Sequence, residues 1–147
     1  MTSVVKTKKL TKKAITPTYG TPYSAGADIY NAEECPISIA PGETRLIHTG
    51  LSFEIPEGCV GLIFARSGLA TKRGLAPANK VGVIDSDYRG EVMVSLFNQS
   101  GETQTVEYGE RLAQLAIVPF IKADFEISDE LSETVRGRGG FGSTGMK

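Results

Sequence analysis

Apolar and polar residues alternate with period two along this chain, and that alternation constrains its fold more than any other feature. The pattern recurs in three segments, at Leu51, Phe53 and Ile55, at Val92, Val94 and Leu96, and at Ala113, Leu115 and Ile117. Successive side chains of a strand point to opposite faces of a sheet, so each segment is expected to be a half-buried strand. The sequence therefore predicts β-structure, and it contains no long amphipathic helical pattern.

Turn-forming residues separate the strands at short intervals, as in Pro41-Gly42, Pro56-Glu57-Gly58, Ser100-Gly101 and Tyr108-Gly109. Short strands with closely spaced turns are typical of an all-β sandwich, barrel or jelly roll. The best helical segment is 67–72, which begins at a serine suited to N-capping and runs into Gly74. We expect one short helix there.

Length and charge place further bounds on the fold and on binding partners. A chain of 147 residues with 40% hydrophobic content matches one globular domain. Its net charge of -1 gives no general attraction to nucleic acid or to an anionic membrane, so we expect neither as a partner. The sequence has no secretory signal pattern and no membrane-spanning apolar run, which favours a cytoplasmic location.

The cysteines, the histidine and the N-terminal lysines give only weak indications of a disulfide, a metal site or a nucleic-acid contact. Cys35 and Cys59 lack CxxC spacing and His48 is the only histidine, so neither a disulfide nor a zinc site is favoured. Lysines at positions 6, 8, 9, 12 and 13 would suit a nuclear signal or a nucleic-acid tether. A strand edge protected by solvated lysines explains them as well, and we favour it.

The chain changes character near residue 133, where glycine and polar residues replace apolar ones. We therefore predict a folded domain over 1–132 and a mobile arm over 133–147. The GxGxxG spacing in the arm is not a dinucleotide fingerprint, because such a fingerprint opens a helix and too few residues follow Gly142.

The arm nevertheless has the chemistry of a phosphate-binding segment. Its exposed backbone N–H groups, the Arg136 guanidinium and the hydroxyls of Ser143 and Thr144 can bind phosphate oxygens. Phe141 lies among them with no core to join. A disordered tail is the alternative, but this combination favours a lid that closes over a ligand.

Segment 82–90 places acids and a tyrosine between apolar strands, as a hairpin would. Asp85 follows an apolar triplet, so its carboxylate is expected at a partly buried strand end, where a general base could hold a water. We expect Asp87 to be a turn-capping acid and Arg89 a solvated charge.

Other polar residues form a candidate anion site. Arg66 and Ser67 precede the short helix, whose N-terminal N–H groups favour an anion, although a simple N-cap would also explain the serine. Gln114 is a polar residue in an alternating strand over 111–118, and it would need a partner if buried. Asp28 is an acid near the start of a strand.

Taken together and in order, five segments resemble the motifs of the trimeric dUTPase family, and the resemblance spans nearly the whole chain. The motifs are residues 25–28, 65–68, 82–90, 109–114 and 136–145, of which the third and fifth are the most specific. One departure is Ala65, where many members carry proline. The resemblance implies a distorted jelly roll or β-barrel, and an enzyme that hydrolyses dUTP to dUMP and pyrophosphate.

The resemblance also implies roles for the residues that bind the nucleoside. Asp85 would activate the water that attacks the α-phosphorus, and Tyr88 would lie beneath the deoxyribose, which excludes UTP by steric conflict with its 2′-hydroxyl. Asn79 and backbone groups of 78–83 would pair with the uracil edge and leave no space for a thymine methyl. Gly82 and Val83 are among these backbone contributors, and Ile84, which follows them, is also expected at the substrate site.

By the same resemblance, phosphates are bound elsewhere in the motifs. Ser67 and Gln114 would contact the α- and β-phosphates, with Arg66 and the backbone of Gly68 nearby. The γ-phosphate would be covered by the arm, through Arg136, Gly142, Ser143 and Thr144, while Phe141 stacks on uracil.

The family resemblance further implies Mg²⁺ and a homotrimer with active sites shared between subunits. Magnesium would be held through substrate phosphates and waters without a direct protein ligand. Asp28 would anchor the metal waters or a neighbouring arginine.

Two alternative functions remain open at the level of sequence. A dCTP deaminase of the same fold would carry a glutamate as proton shuttle, and the matching position here is Ser95. A nucleotide-switched regulatory protein could use the same pocket, as some phage-borne relatives do. A non-catalytic binder would be expected to lack Asp85 or the arm, and this sequence has both.

Overall fold

The computed structural model describes residues 4–140, and these form twelve strands and one short helix. The elements in chain order are β1 Lys6–Lys9, β2 Thr18–Tyr19, β3 Ala27–Tyr30, β4 Ile37–Ile39, β5 Thr44–His48, β6 Leu51–Glu54, β7 Cys59–Ala65, α1 Ser67–Arg73, β8 Leu75–Pro77, β9 Gly82–Ile84, β10 Met93–Asn98, β11 Gln104–Val106 and β12 Arg111–Pro119. Phe141, Gly142, Ser143 and Thr144 lie outside the described residues.

The strands pair antiparallel in four sheets that enclose one core. The largest sheet has the order β2-β3-β12-β7-β9, and a second has the order β5-β10-β8. Two-stranded sheets, β1-β6 and β11-β4, complete the barrel-like layers. Ile29 and Leu115 of the largest sheet and Ile47 and Leu96 of the second belong to one buried cluster, so the core lies between these layers. The predicted all-β jelly-roll class is confirmed.

The three strands predicted from alternation are present as β6, β10 and β12. In β10 the alternation is complete, since Val94, Leu96 and Asn98 are buried while their neighbours are half-buried. In β6 the prediction of one buried face was wrong, because Ser52 is buried as well. Its hydroxyl donates to the Arg89 carbonyl at 2.7 Å, and that hydrogen bond satisfies the buried oxygen.

The predicted helix is present, but its N-cap is not the serine. Arg66 occupies the N-cap position without a side-chain capping bond, and Ser67 is the first helical residue. At the other end Gly74 adopts a left-handed conformation with φ 66°, and its N–H donates to the Ala70 carbonyl at 3.1 Å. Glycine tolerates this conformation without steric cost, so the chain can turn directly into β8.

The N-terminal lysines of β1 are exposed and form the outer strand of the β1-β6 pair, as expected for a protected edge. Both cysteines are free thiols. Within residues 4–140 no helix is long and apolar enough to cross a membrane. After β12 ends at Pro119, residues 120–140 contain no helix or strand. The predicted division between 132 and 133 stays a prediction.

Candidate active site

The structure brings six of the predicted site residues together around one cavity of about 330 Å³. These six are Asn79, Gly82, Val83, Ile84, Asp85 and Tyr88. The opposite wall comes from β5 and β10, through Leu46, Met93 and Ser95. We call this cavity the hairpin pocket, because residues 79–91 form one of its sides.

Asp85 stands at the rim of the hairpin pocket, directly after β9. Its side chain is exposed in the single chain, so the expectation of a partly buried carboxylate was wrong. The turn that follows is closed by the Tyr88 N–H, which donates to the Asp85 carbonyl at 3.2 Å. The carboxylate therefore lies on an ordered turn and remains accessible to water and ligand.

Arg89 stabilises the same turn and is not simply a solvated charge, as the sequence had suggested. Its Nη1 donates to the Ser86 carbonyl at 2.7 Å and to the Tyr88 carbonyl at 3.1 Å. Hydrogen bonds from a charged donor are stronger than neutral ones, so the guanidinium fixes the loop that presents Asp85 and Tyr88.

Tyr88 lies along the hairpin with its ring partly exposed to the pocket. Its hydroxyl donates to the Glu91 carbonyl at 2.9 Å. The Glu91 carboxylate in turn accepts the Gly50 N–H at 2.8 Å and pairs with His48 Nδ1 at 2.9 Å. The hydrogen bond to Glu91 raises the pKa of His48 above its ordinary value of 6.5.

The base of the hairpin is a tight turn with one unfavourable backbone conformation. Lys80 has φ 68°, which is uncommon for a residue other than glycine. Its N–H donates to the Pro77 carbonyl at 3.0 Å, and the Ala78 N–H donates to the Ser95 carbonyl at 2.8 Å. These bonds tie the turn to β10 and hold Asn79 at the cavity wall.

A second group of predicted residues meets at the ends of β3, β7 and β12. Asp28 is buried, and its two carboxylate oxygens contact Arg66 Nε at 2.8 Å and Arg111 Nη1 at 3.4 Å. Gln114 is the register partner of Asp28 across β3 and β12. We call Asp28, Arg66, Arg111 and Gln114 the arginine corner. The structure thus pairs Asp28 with neighbouring arginines, one of the two roles expected for it.

The hairpin pocket and the arginine corner are far apart within one chain. In the pairing of β7 with β9, Ile84 lies opposite Gly61, which places Asp85 level with residue 60. Arg66 lies six positions beyond residue 60, directly after the end of β7, and at about 3.3 Å per residue this gives roughly 20 Å between them. One phosphate group cannot contact both residues of the same chain.

Of the remaining predicted residues, Gly68 lines a second pocket together with Arg66 and Arg111 of the arginine corner, whereas Arg136 is brought to neither group. Ser67 and Gly68 are exposed at the start of α1, beside the arginine corner. Arg136 is exposed, and its Nε donates to the Gly139 carbonyl at 2.9 Å. Sequence reasoning missed Leu46, Met93 and Glu91 in the pocket wall, because their roles depend on how β5 and β10 pack against the hairpin.

Comparisons with known proteins agree with this architecture. The sequence profile of the dUTPase family matches residues 12–145. The deoxyuridine 5'-triphosphate nucleotidohydrolase of Desulfitobacterium hafniense (strain DSM 10664 / DCB-2) is 50% identical over 131 residues, which are 88% of this chain and 87% of that protein.

Solved structures of phage proteins have the same fold. The dUTPase of Staphylococcus bacteriophage 80alpha, solved with dUPNHPP, superposes with a TM-score of 0.87 at 31% identity, covering 99% of this chain and 100% of that one. A mutant dUTPase of phage phi11 of S. aureus, in which a structural Mg(II) ion is coordinated, gives 0.78 at 27% identity, covering 87% and 98%. The sequence match and the shared fold together establish that this chain belongs to the dUTPase family.

Proposed function

We propose that this protein hydrolyses dUTP to dUMP and pyrophosphate, with Asp85 as the general base for a water that attacks the α-phosphorus. The observation that carries the proposal is the exposed Asp85 carboxylate at the rim of a cavity lined by Asn79 and Tyr88. A base that is fixed on an ordered turn and open to water can orient and deprotonate a nucleophile.

Selectivity for the nucleoside is proposed to come from the hairpin pocket. The Tyr88 ring would lie against the sugar, where a 2′-hydroxyl has no room. Backbone groups of 78–83 and the Asn79 amide would pair with the uracil edge. The relatives support this assignment, since one is named for deoxyuridine triphosphate and another was solved with dUPNHPP, whose name describes an imido analogue of dUTP.

We further propose that each active site is shared between subunits of a homotrimer. Asp85 and Arg66 of one chain are roughly 20 Å apart along the sheet, so a triphosphate that meets both must lie between two chains. The outer face of the largest sheet also suits a partner, because Phe64 and Val83 are exposed there beside Leu62, which pairs with Val83. An apolar face of this kind marks a protein interface.

The C-terminal arm is proposed to close the site through Arg136, Ser143 and Thr144 on the γ-phosphate and Phe141 on uracil. Residues 120–140 form no helix or strand and are mostly exposed, and Phe125, Ile127 and Leu131 have almost fully exposed apolar side chains. Such side chains are better covered by a neighbouring subunit than by water, which supports an arm that crosses between chains.

We propose that magnesium reaches the site as an ion carried by the substrate. Within residues 4–140 no cluster of three or more His, Cys, Asp or Glu side chains is arranged as a cage, and both Asp28 oxygens contact arginines. Mg²⁺ commonly keeps its waters and binds substrate phosphates, so this donor set suits it. When bound, it would neutralise charge on the phosphate oxygens.

The deaminase alternative is disfavoured by the pocket wall. Ser95 lines the cavity at the position expected for a proton-shuttling glutamate, and a serine hydroxyl cannot take that role at neutral pH. Besides Asp85, Glu91 is the other carboxylate that lines the pocket, and it is already paired with Gly50 and His48. A regulatory role is reported for phage dUTPases in the transfer of virulence genes, and it would be additional to hydrolysis.

The test is hydrolysis in ¹⁸O-labelled water. We expect dUTP to yield pyrophosphate and dUMP, with the label in dUMP, because the water attacks the α-phosphorus. Label in pyrophosphate would contradict that point of attack. Ammonia released from dCTP would support the deaminase, and absence of turnover with both nucleotides would overturn the proposal. We also keep a cytoplasmic location as a prediction, supported by two free thiols.

A further inference from the structure

We propose that Gly90 and Glu91 form a seat that fixes the Tyr88 ring and thereby sets the discrimination between deoxyribonucleotides and ribonucleotides. The inference rests on the proposed function, in which Tyr88 lies beneath the sugar. We call these two residues the tyrosine seat. They are positioning residues, because they act through Tyr88 and need not touch the substrate.

Gly90 is the first half of the tyrosine seat, since a side chain there would occupy the space of the ring. A Cβ built on Gly90 would lie 2.4 Å from the Tyr88 hydroxyl oxygen and 2.6 Å from Cζ. Both distances are far below van der Waals contact, so the ring has to move if the residue is larger. Gly90 does not have a positive φ, so alanine suits its backbone and would act through this contact alone.

Glu91 is the second half, because its carbonyl accepts the Tyr88 hydroxyl at 2.9 Å. The position of that carbonyl is fixed by contacts of the Glu91 side chain and by a backbone hydrogen bond of the next residue. The Glu91 carboxylate accepts the Gly50 N–H at 2.8 Å and pairs with His48 Nδ1 at 2.9 Å. The next residue, Val92, donates its N–H to Leu51 at 2.8 Å. The seat is therefore attached to segment 48–51.

A ring held in this way excludes a 2′-hydroxyl only while it stays in place. If the ring moves outward from the cavity, the ribose gains room and UTP becomes a better substrate. If it moves inward, the deoxyribose loses its fitted contact and dUTP becomes a worse one. Outward movement lowers the ratio of kcat/KM for dUTP to kcat/KM for UTP, and inward movement lowers kcat/KM for dUTP itself, so both quantities are measured.

The first experiment compares Gly90→Ala with Gly101→Ala, whose Cβ would meet open space and which also lacks a positive φ. We expect Gly90→Ala to lower the dUTP/UTP ratio roughly tenfold or more, and Gly101→Ala to leave it unchanged. In a Tyr88→Ala background Gly90→Ala should have no further effect, because the ring it displaces is gone. An unchanged ratio in folded Gly90→Ala, or an equal fall in the Tyr88→Ala background, would overturn the proposal.

The second experiment removes the charge of Glu91 and keeps the backbone. We expect Glu91→Gln to lower the ratio about threefold, the effect of one weakened hydrogen-bonding group. Glu43→Gln is the matched control, since Glu43 also accepts a backbone N–H, from Ala40 at 2.8 Å, and pairs with an arginine. A ratio that stays at the wild-type value in Glu91→Gln would remove Glu91 from the seat.

These outcomes separate the seat from the function on which it rests. A wild-type protein that does not hydrolyse dUTP would overturn the proposed function. A wild-type protein that hydrolyses dUTP and rejects UTP, with unchanged ratios in the Gly90 and Glu91 variants, would overturn only the seat. Thermal melts of each variant identify loss of folding, and the Glu91→Gln comparison then decides if Gly90→Ala does not fold.

Discussion

The hairpin pocket and the arginine corner both lie on the largest sheet, but they use their polar groups differently. In the pocket, Asp85 is exposed on an ordered turn beside an open cavity. In the corner, Asp28 is buried and both its oxygens contact guanidinium groups. A carboxylate that is free to meet water suits chemistry, whereas a buried, paired one suits the placement of a neighbouring side chain.

The exposure of Asp85 suits its proposed role in turnover, whereas the burial and pairing of Asp28 suit a structural role. Asp28 holds Arg66 at the end of β7, where the guanidinium is retained near the start of the helix. The arginine corner therefore supplies positive charge that is already oriented. The proposed base lies at the hairpin pocket, about 20 Å from the arginine corner of the same chain.

The largest expected effect is on turnover, when the base of the pocket is removed. Asp85→Asn preserves shape but cannot accept a proton, so we expect kcat to fall by about 10²-fold or more. Binding of dUPNHPP, measured by calorimetry, should change little. Asp87→Asn is the control on the same turn, and we expect it to retain nearly full activity. Substantial turnover by Asp85→Asn would remove Asp85 from its assigned role.

The next experiment tests whether the hairpin pocket of one chain and the arginine corner of another form one active site. Asp85→Asn and Arg66→Gln proteins should each be nearly inactive, because each lacks one half of every site. If subunits are unfolded together and refolded as a mixture, random trimers would have a quarter of their sites intact, so roughly 25% of wild-type activity should return. A mixture as inactive as its components would show that each site lies within one chain.

A smaller effect is expected on stability. Here the variant of Asp28 should be affected and the variant of Asp85 should not, the reverse of the effect on turnover. Asp28→Asn leaves two guanidinium groups beside a neutral side chain, so we expect the free energy of unfolding to fall by about 1–2 kcal/mol. Asp85→Asn should leave it unchanged, since that side chain is exposed. Urea denaturation of both variants measures the difference. Equal free energies of unfolding for the Asp28→Asn and Asp85→Asn variants would mean that the ion pairs do not stabilise the arginine corner.

Much of the fold could be predicted because it follows from short-range patterns. The alternation at Val94 and Leu96 and the glycine at position 74 each report a local conformation, and the structure has the strand and the helix end that they imply. The N-cap was misassigned by one residue. Serine is the better capping residue by type, but the helix begins at Ser67 and leaves Arg66 in the cap position. That choice depends on how β7 ends.

The site was less predictable because its contacts depend on strand register and packing. Asp28 faces Arg66 and Arg111 because β12 pairs in a fixed register with β3 on one side and β7 on the other, with an irregularity between Arg111 and Ala113. Arg89 was expected in solvent, yet its guanidinium binds carbonyls of its own turn. Neither contact has a sequence pattern of its own.

The smallest expected effect is a pH dependence that belongs to the hairpin pocket and not to the arginine corner. His48 is the only histidine, so its titration can be followed by proton NMR without ambiguity. Its pKa is raised above 6.5, chiefly by the hydrogen bond to Glu91, and Glu33 adds a smaller favourable charge interaction. The imidazolium form is thus favoured in the folded state.

A raised pKa means that this pair stabilises the folded protein fully below pH 6.5 and loses its contribution as pH rises through the folded pKa. The His48 side chain is 54% exposed, so solvent screening limits the contribution to below about 1 kcal/mol. In Glu91→Gln the titration should return toward 6.5 and this component of the pH dependence should disappear. A wild-type titration at or below the ordinary value would contradict the pairing. Because the Glu91 carbonyl also accepts the Tyr88 hydroxyl, the same variant connects this titration to the hairpin proposed to bind the sugar.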